Sequence, residues 1–243
     1  MSFEKHNVPE LKAMSIDAIH YKIMDIMKKY PVGKALDFPS GWGRLSYWLK
    51  EKGYDVTSCD IQGHPDSPVE HVFGDLNVRF PFENEIFDYA FCIDGPEHAE
   101  NLYHVFREFY RVLKPNAYLI LSIPNYSNIE NRFKQFLYGV LEPINTREDF
   151  EKLKDTTGHC HVNRPPYALL RMALEAAKFS IEETEFDQEK KNQKLFYPIY
   201  LLIKLITAIK GDKGDKKYWL RSANQKNVLM GGNTLILVCQ KIA

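Results

Sequence analysis

Residues 34–60 read KALDFPSGWGRLSYWLKEKGYDVTSCD, and this stretch decides the fold. A short apolar run over 34–38 leads into the turn PSGWG, an amphipathic helical pattern covers 44–52, and a second apolar run covers 54–60. A strand, a glycine turn, a helix and a strand within about 30 residues form a βαβ unit. Such a unit requires a parallel sheet with a right-handed crossover.

The alternation of strands and helices continues along the chain. Further strands are predicted at 69–74, 87–93, 118–123, 179–186 and 233–241, and helices at 15–30, 97–113 and 166–177. This pattern predicts an α/β protein with an open, doubly wound and mostly parallel seven-stranded sheet.

Composition limits the classes of protein that fit. The chain has 243 residues with 32 basic and 32 acidic side chains. This length suits one domain over 1–243 that needs neither disulfides nor a structural metal, and the zero net charge argues against a nucleic-acid partner. Four widely spaced cysteines, and an N-terminus without the apolar core of a signal peptide, predict a cytoplasmic protein.

Two insertions interrupt the alternation. The first, 126–165, is polar and longer than an ordinary connection, which favours a functional role. The second, 188–230, is basic and contains an apolar helical segment at 195–210, which would span only about 20 Å and so cannot cross a bilayer alone. Residues 188–226 hold ten basic and three acidic residues, a local charge of +7.

The apolar segment 195–210 has three interpretations. Its flanking lysines suit a helix that lies peripherally on an anionic membrane or covers a lipid-linked acceptor. A helix that is apolar on nearly every face is also typical of a buried lid with a charged rim. Nucleic-acid binding is the weaker third option, since few aromatic residues lie among the basic ones.

The turn after the first strand predicts a ligand site. Glycines at 41 and 43 let the backbone approach a ligand at the carboxyl end of the strand, although a GxG turn also occurs as a plain tight turn. Asp60 closes the second strand 17 residues after Gly43, where a carboxylate can accept both hydroxyls of a ribose. The third glycine of a nicotinamide fingerprint is missing, which disfavours an oxidoreductase.

Four motifs in order resemble the class I S-adenosylmethionine-dependent methyltransferases, closest to their small-molecule branch. They are LDFPSGWGR at 36–44 with Asp60, GDLNVRFPF at 74–82, FDYAFCIDGPEH at 87–98 and FREFYRVLKPNAYLILSIPN at 106–125. The resemblance covers about residues 30–125 and implies S-adenosyl-L-methionine as the cofactor.

The resemblance also implies roles for individual residues. The cofactor's methionine and ribose parts would be lined by the first motif, and its ribose would be held by Asp60 beside Ile61. Its adenine would lie by Asp75 and Leu76, and its methyl group by Asp94 after the fourth strand. The first-motif residues are Asp37, Pro39, Ser40, Gly41, Gly43 and Arg44.

Two residues of the first motif need comment. Pro39 stands where the family usually has glycine, so this position cannot donate an N–H to the ligand. Arg44 opposes the dipole of the helix that it begins, which suggests a carboxylate partner such as the cofactor's, or alternatively a surface acid.

Three histidines are candidates for work on the acceptor. His98 follows Asp94 closely and is either a general base or part of a hydrogen-bonded loop. His159 and His161 lie in the first insertion, where the family usually forms its acceptor lid, and they are acceptor ligands or loop-packing residues. Flanking Cys160, they could suggest zinc, but no CxxC or second ligand pair accompanies them, so we expect no metal.

The sequence thus predicts an enzyme that transfers a methyl group, at oxygen, to a small-molecule or lipid-linked acceptor beneath the two insertions. The alternative is a catalytically silent cofactor-binding module that contacts a membrane or partner through its basic insertion. The identity of the acceptor and the oligomeric state stay open.

Overall fold

The computed structural model describes residues 17–62, 69–141, 146–148, 160–190 and 193–242. Strands within these residues are β1 Lys34–Asp37, β2 Asp55–Asp60, β3 Glu70–Phe73, β4 Phe87–Cys92, β5 Leu113–Pro124, β6 Phe179–Phe186 and β7 Thr234–Lys241. Helices are α1 Asp17–Met27, α2 Arg44–Glu51, α3 Leu102–Val112, α4 Ile129–Tyr138, α5 Tyr167–Ala176, α6 Tyr197–Tyr218, α7 Leu220–Ala223 and α8 Lys226–Leu229.

All of these strands join one seven-stranded sheet in the order β3-β2-β1-β4-β5-β7-β6. The five strands from β3 to β5 are parallel, and β7 pairs antiparallel with both β5 and β6. The predicted sheet is therefore confirmed. The order reverses direction at β1, which pairs with β2 on one side and β4 on the other, and ligands of open α/β sheets bind at such a point.

Helices cover both faces of the sheet. On one face, α1 and α2 bury Ile23 and Leu49 against β1, β2 and β4. On the other face, α3 and α5 bury Phe106 and Leu170 against β4, β5 and β7. The central strands are buried on both sides, which explains why their sequences read as nearly continuous apolar runs.

The helix predicted at 97–113 is wrong at its start. Residues Pro96–His98 form a separate 3₁₀ turn, and α3 begins only at Leu102. Asn101 is its N-cap, because the Asn101 side chain accepts a hydrogen bond from the backbone N–H of His104 at 3.1 Å. The short turn leaves Glu97 and His98 at the edge of the sheet rather than inside a helix.

The helix predicted near Pro198 is present and longer than expected. This helix is α6, which ends at Tyr218 and has a break at Gly211, whose φ is 50°. The apolar side chains of α6 are largely exposed, and Ile209 is 74% exposed, so the buried-lid interpretation does not describe this helix. None of the helices described here is both long enough and apolar enough to span a membrane.

Candidate functional site

The turn after β1 is shaped by its glycines. Gly41 has a φ of 51° and Gly43 a φ of 77°, a left-handed region where other residues are strained. The Ser40 backbone N–H donates to the carbonyl oxygen of Cys59 at 2.9 Å, which ties the turn to the neighbouring strand β2. The turn therefore presents its backbone at the carboxyl edge of the sheet.

Asp60 joins this turn to the end of β2. One oxygen, Oδ2, accepts the Gly41 N–H at 2.8 Å, and the other, Oδ1, accepts the Gln62 N–H at 3.0 Å. A carboxylate has about four acceptor positions, so two positions remain for a ribose diol. The glycine turn and the acid, matched in the sequence only by their spacing, are therefore in direct contact.

An orphaned hydroxyl tests whether this turn fits a ligand. The Ser40 Oγ atom is buried and has no hydrogen-bond partner among the residues that the structure describes. Buried polar atoms are usually paired, so such an atom in the predicted cofactor loop fits a site completed by a polar ligand. This observation agrees with an adenosine-type cofactor that presents hydroxyl, ammonium and carboxylate groups.

Asp37 lies beneath the turn, with its side chain buried. Its Oδ2 accepts the Ser46 hydroxyl at 2.5 Å, which fastens β1 to α2. The pKa of Asp37 is raised to about 7, mainly by burial and to a smaller extent by nearby Asp60, while the hydrogen bonds with Ser46 oppose the rise. Its cofactor contact stays a prediction, because the structure shows the carboxyl group bound to the protein.

Pro39 packs against the loop that follows β4. A side-chain Cβ built on Gly95 would lie 2.5 Å from Pro39 Cδ and 2.9 Å from Cys92 Sγ, so only glycine fits there without movement. The proline that departs from the family pattern is thus accommodated by a glycine in the loop that follows β4. Asp94, immediately before Gly95, is held at the same edge.

Arg44 forms an ion pair with an acid on α1. Its Nη1 lies 2.6 Å from Asp17 Oδ1, and its guanidinium is 5.1 Å from the centre of a Trp48 ring. This is the surface-acid alternative of the sequence analysis. A contact between Arg44 and the cofactor stays a prediction.

The residues predicted beside the adenine lie after β3. Asp75 Oδ1 accepts the Asn77 backbone N–H at 2.8 Å and its side-chain N–H at 3.0 Å, which fixes the turn. Leu76 is buried and Ile61 is half-buried. Their roles toward the adenine stay predictions.

Asp94 occupies a strained position at the end of β4, with a φ of 47°. Its backbone N–H donates to Ser122 Oγ at 2.9 Å, and the Ser122 hydroxyl donates back to Asp94 Oδ1 at 2.6 Å. Burial raises the pKa of Asp94, while the Ser122 hydrogen bond and nearby His161 oppose the rise. Backbone strain of this kind concentrates at functional sites, and His161 lies close enough to Asp94 to lower its pKa.

Two of the predicted histidines meet beside Asp94. The ring centroids of His98 and His161 are 5.1 Å apart at an angle of 71°. His98 Nδ1 lies 3.1 Å from the carbonyl oxygen of Cys160, and His161 Nδ1 lies 3.2 Å from the hydroxyl of Tyr126. The structure thus brings Asp94, His98 and His161 together, whereas His159 lies outside the described residues.

Three residues of this site were not predicted. Ser122 and Tyr126 come from β5 and the turn that follows it, and Asp187 follows β6. Asp187 is buried and, among the groups described, it raises the pKa of Asp94. Their only signal in the sequence is position: Ser122 and Tyr126 lie near the carboxyl end of β5, and Asp187 lies between β6 and the start of β7 in the sheet.

Comparisons with known proteins point to one family. Residues 36–121 match the family described as "Methyltransferase domain". A sterol methyltransferase-like protein 3 of Botryococcus braunii is 40% identical over 134 residues, which are 48% of this chain and 34% of that protein. The sterol 24-C-methyltransferase of Schizosaccharomyces pombe is 34% identical over 72 residues, 28% of this chain and 19% of that enzyme. The chain thus spans only about a third or less of these curated relatives.

Solved structures show the same fold over most of the chain. A protein of Pyrococcus horikoshii OT3 is 19% identical, with a TM-score of 0.57 and coverage of 97% of this chain and 96% of that one. A methyltransferase of Methanosarcina mazei is 17% identical, with a TM-score of 0.55 and coverage of 89% and 97%. A [4+2]-cyclase, SpnF, also shares the fold at 16% identity and a TM-score of 0.52, covering 91% of this chain and 80% of that one. Fold alone therefore does not decide the reaction.

Proposed function

We propose that this chain, which carries a class I S-adenosylmethionine-dependent methyltransferase domain, transfers a methyl group to an oxygen of a small-molecule or lipid-linked acceptor. The carrying observation is that the tied Gly41–Asp60 turn and the cluster of Asp94, His98 and His161 lie at the same edge of the sheet. The first suits a nucleoside cofactor, and the second suits an acceptor with a proton to lose.

The cofactor supplies one part of the chemistry and the protein the rest. When bound, S-adenosylmethionine would supply an activated methyl group. The acceptor oxygen would form a bond to the methyl carbon as the bond from that carbon to sulfur breaks, and S-adenosylhomocysteine would be the leaving group. Asp60 would hold the ribose, and the Ser40 hydroxyl would gain a polar partner. His98 or His161 would take the hydroxyl proton of the acceptor, because a neutral imidazole suits this work near pH 7. Asp94 would counter the charge that then develops on His161.

Cofactor binding can be tested directly. Addition of S-adenosylhomocysteine should raise the melting temperature of the chain, because a ligand that binds only the folded state stabilises it. Asp60→Ala should abolish this rise, whereas Asp55→Ala, at the exposed start of the same strand, should keep it. If neither S-adenosylmethionine nor S-adenosylhomocysteine raises the melting temperature of the wild-type chain, the proposed function is overturned.

Transfer is tested by the release of S-adenosylhomocysteine with alcohol, phenol, sterol and lipid-linked acceptors. The sterol methyltransferase relatives support a small-molecule or lipid acceptor class, and oxygen as the methylated atom is our proposal. A chain that binds the cofactor but releases no product with any acceptor, while His161→Ala leaves acceptor binding unchanged, would favour the silent binding module instead.

We also propose that α6 contacts a membrane surface peripherally and that the chain works in the cytoplasm. The helix exposes Leu201, Leu202, Leu205, Ile206 and Ile209. The exposed end of α4 lies on the same side, because the rings of Phe133 and Phe196 are 6.4 Å apart, and Phe136 is 83% exposed. Clusters of exposed apolar side chains mark interaction surfaces, and the lysines of the basic insertion complement an anionic surface.

The membrane proposal is tested by sedimentation with vesicles. The chain should bind vesicles that contain phosphatidylserine more strongly than pure phosphatidylcholine vesicles. Ile209→Glu should weaken this binding at least about tenfold, because it places a charge where an exposed apolar side chain would insert. Val32→Glu changes an exposed apolar residue just before β1, and it should have no effect. Equal binding by both variants would contradict a role for α6.

A further inference from the structure

The cluster beside Asp94 contains more metal-ligand groups than the sequence suggested. Glu97, His98 and His161 each offer one ligand atom, and these atoms all lie within 4.8 Å of one another. The two residues of the 3₁₀ turn come from the loop after β4, and His161 comes from the first insertion. The expectation of no metal depended on neighbours along the sequence, whereas the fold supplies the additional ligands.

Both imidazole rings are oriented through the same nitrogen. A carbonyl oxygen only accepts, so His98 Nδ1 must donate its proton to Cys160, which makes Nε2 the acceptor nitrogen of the neutral ring. His161 Nδ1 contacts the hydroxyl of Tyr126 at 3.2 Å. Rings held at Nδ1 by a carbonyl or hydroxyl group, with Nε2 as the ligand, are the usual arrangement of histidines at metal sites.

The charges of the site suit a cation. Glu97 is only 1% exposed, and Asp94 lies nearby and is half-buried. A buried carboxylate is costly unless a cation or strong hydrogen bonds compensate it. A divalent ion at the centre of the cluster would balance Glu97 directly and Asp94 at longer range.

We propose that Glu97, His98 and His161 bind a divalent transition metal ion of the Zn²⁺ class. Two imidazoles and one carboxylate are a ligand set typical of zinc sites that keep a fourth position for water or substrate. Ligand atoms around tetrahedral zinc are about 3.4 Å apart, so the three side chains would close by up to about 1.5 Å on binding. Small rotations of the two histidine side chains, which are half-buried, would permit that movement.

The metal ion would also help to activate the acceptor at this edge of the sheet. This step rests on the proposed function: an acceptor hydroxyl bound at the fourth position would have a lowered pKa, because the ion stabilises the oxyanion. His98 and His161 would then act as ligands, and the acceptor proton would leave to water or to Asp94.

The experiment uses the full chain after dialysis against a chelator. Titration with Co²⁺, followed by visible absorption, and with Zn²⁺, followed by calorimetry, should show one ion bound per chain. His161→Ala and Glu97→Gln should weaken Zn²⁺ binding at least about 100-fold, and Tyr126→Phe about tenfold, because it loosens the ring of a ligand. His104→Ala, a histidine on α3 outside the cluster, should bind as the wild type does.

Circular dichroism of the metal-free variants separates loss of ligand from loss of folding, and His161→Gln replaces any alanine variant that unfolds. Absence of Zn²⁺ binding by the wild type, or equal affinity of His161→Ala and His104→Ala, would overturn the metal site. Both measurements omit cofactor and acceptor. Metal binding without any response to S-adenosylhomocysteine would therefore contradict only the proposed function, and the reverse result would contradict only the metal site.

Discussion

The buried carboxyl group of Asp37, beneath the predicted cofactor turn, should make the stability of the chain depend on pH, and the size of this effect can be calculated. This carboxyl group is buried at the end of β1 and accepts the Ser46 hydroxyl. Because burial raises its pKa to about 7, the folded chain keeps this proton at pH values where the unfolded chain has released it. Between the unfolded and folded pKa values the unfolded state binds fewer protons, so stability falls as the pH rises.

Asp37→Asn removes this pH dependence and keeps an oxygen that can accept from Ser46. The rise from 3.8 to about 7 corresponds to about 4 kcal/mol of unfolding free energy when complete, with about 2.5 kcal/mol lost between pH 5 and pH 8. Relative to the wild type, the variant should therefore gain about 2.5 kcal/mol over this interval.

Urea unfolding of both proteins at pH 5 and pH 8, followed by circular dichroism, measures this gain. Asp25→Asn is the control, because Asp25 is exposed and its hydrogen bond with Lys28 lowers its pKa, so its removal should not reproduce the gain. If the difference between wild type and Asp37→Asn is the same at both pH values, the carboxyl group is not held neutral by burial and the reasoning fails.

Three further substitutions test contacts around the site. Gly95→Ala should lower the unfolding free energy by about 1–3 kcal/mol and weaken S-adenosylhomocysteine binding, because the new methyl group overlaps Pro39. Urea titration measures the first effect and calorimetry the second. An unchanged affinity would show that Pro39 does not contribute to the cofactor site. Arg132→Lys should cost about 2 kcal/mol in urea unfolding, since three hydrogen bonds need the guanidinium fork, and an unchanged midpoint would contradict this. Arg44→Ala should change the unfolding free energy by less than about 1 kcal/mol, because its partner Asp17 is exposed. Weaker cofactor binding in calorimetry would support the predicted contact between Arg44 and the cofactor carboxylate. Binding equal to that of the wild type would contradict this contact.

Local patterns predicted the parts of the fold that depend on local interactions. The β1–α2–β2 unit was predicted because its apolar runs, glycine turn and helix periodicity lie within 27 residues. Asn116 has a φ of 62°, a left-handed conformation that asparagine tolerates better than most residues. The start of α3 was misplaced by five residues, because the Asn101 side chain caps the helix and α3 therefore begins at Leu102.

Contacts across the fold explain what the sequence did not reveal. His98 and His161 are 63 positions apart, and neither is part of a spacing motif that predicts their meeting. The partner of Arg44 lies on α1, and helix periodicity carries no information about ion pairs between helices. The position of Asp60 could be predicted because the end of β2 fixes it.

Hydrogen bonds and an ion pair connect the two insertions near the site. These contacts link the proposed membrane contact of α6 to the proposed methyl transfer. Arg132 on α4 donates to the carbonyl oxygens of Ser127 and Ala223 and to Asn224 Oδ1, so it ties the turn after β5 to the segment that follows α6. Lys190 adds an ion pair with Glu130 on α4 at 2.9 Å.

The distribution of charge then orients the whole chain. Residues 188–226 carry +7, so the remaining residues carry −7, because the net charge is zero. Near an anionic membrane the basic insertion would be attracted and the acidic remainder repelled, which turns α6 toward the surface. Since α6 is linked through Arg132 to the turn that bears Tyr126, this orientation would place the histidine cluster on the membrane-facing side of the sheet edge.

A lipid-linked acceptor could then reach His161 without leaving the membrane, whereas a soluble acceptor would gain nothing from the apolar helix. Vesicles that stimulate turnover of a lipid-linked acceptor but not of a soluble analogue would support this arrangement, and equal stimulation of both would contradict it.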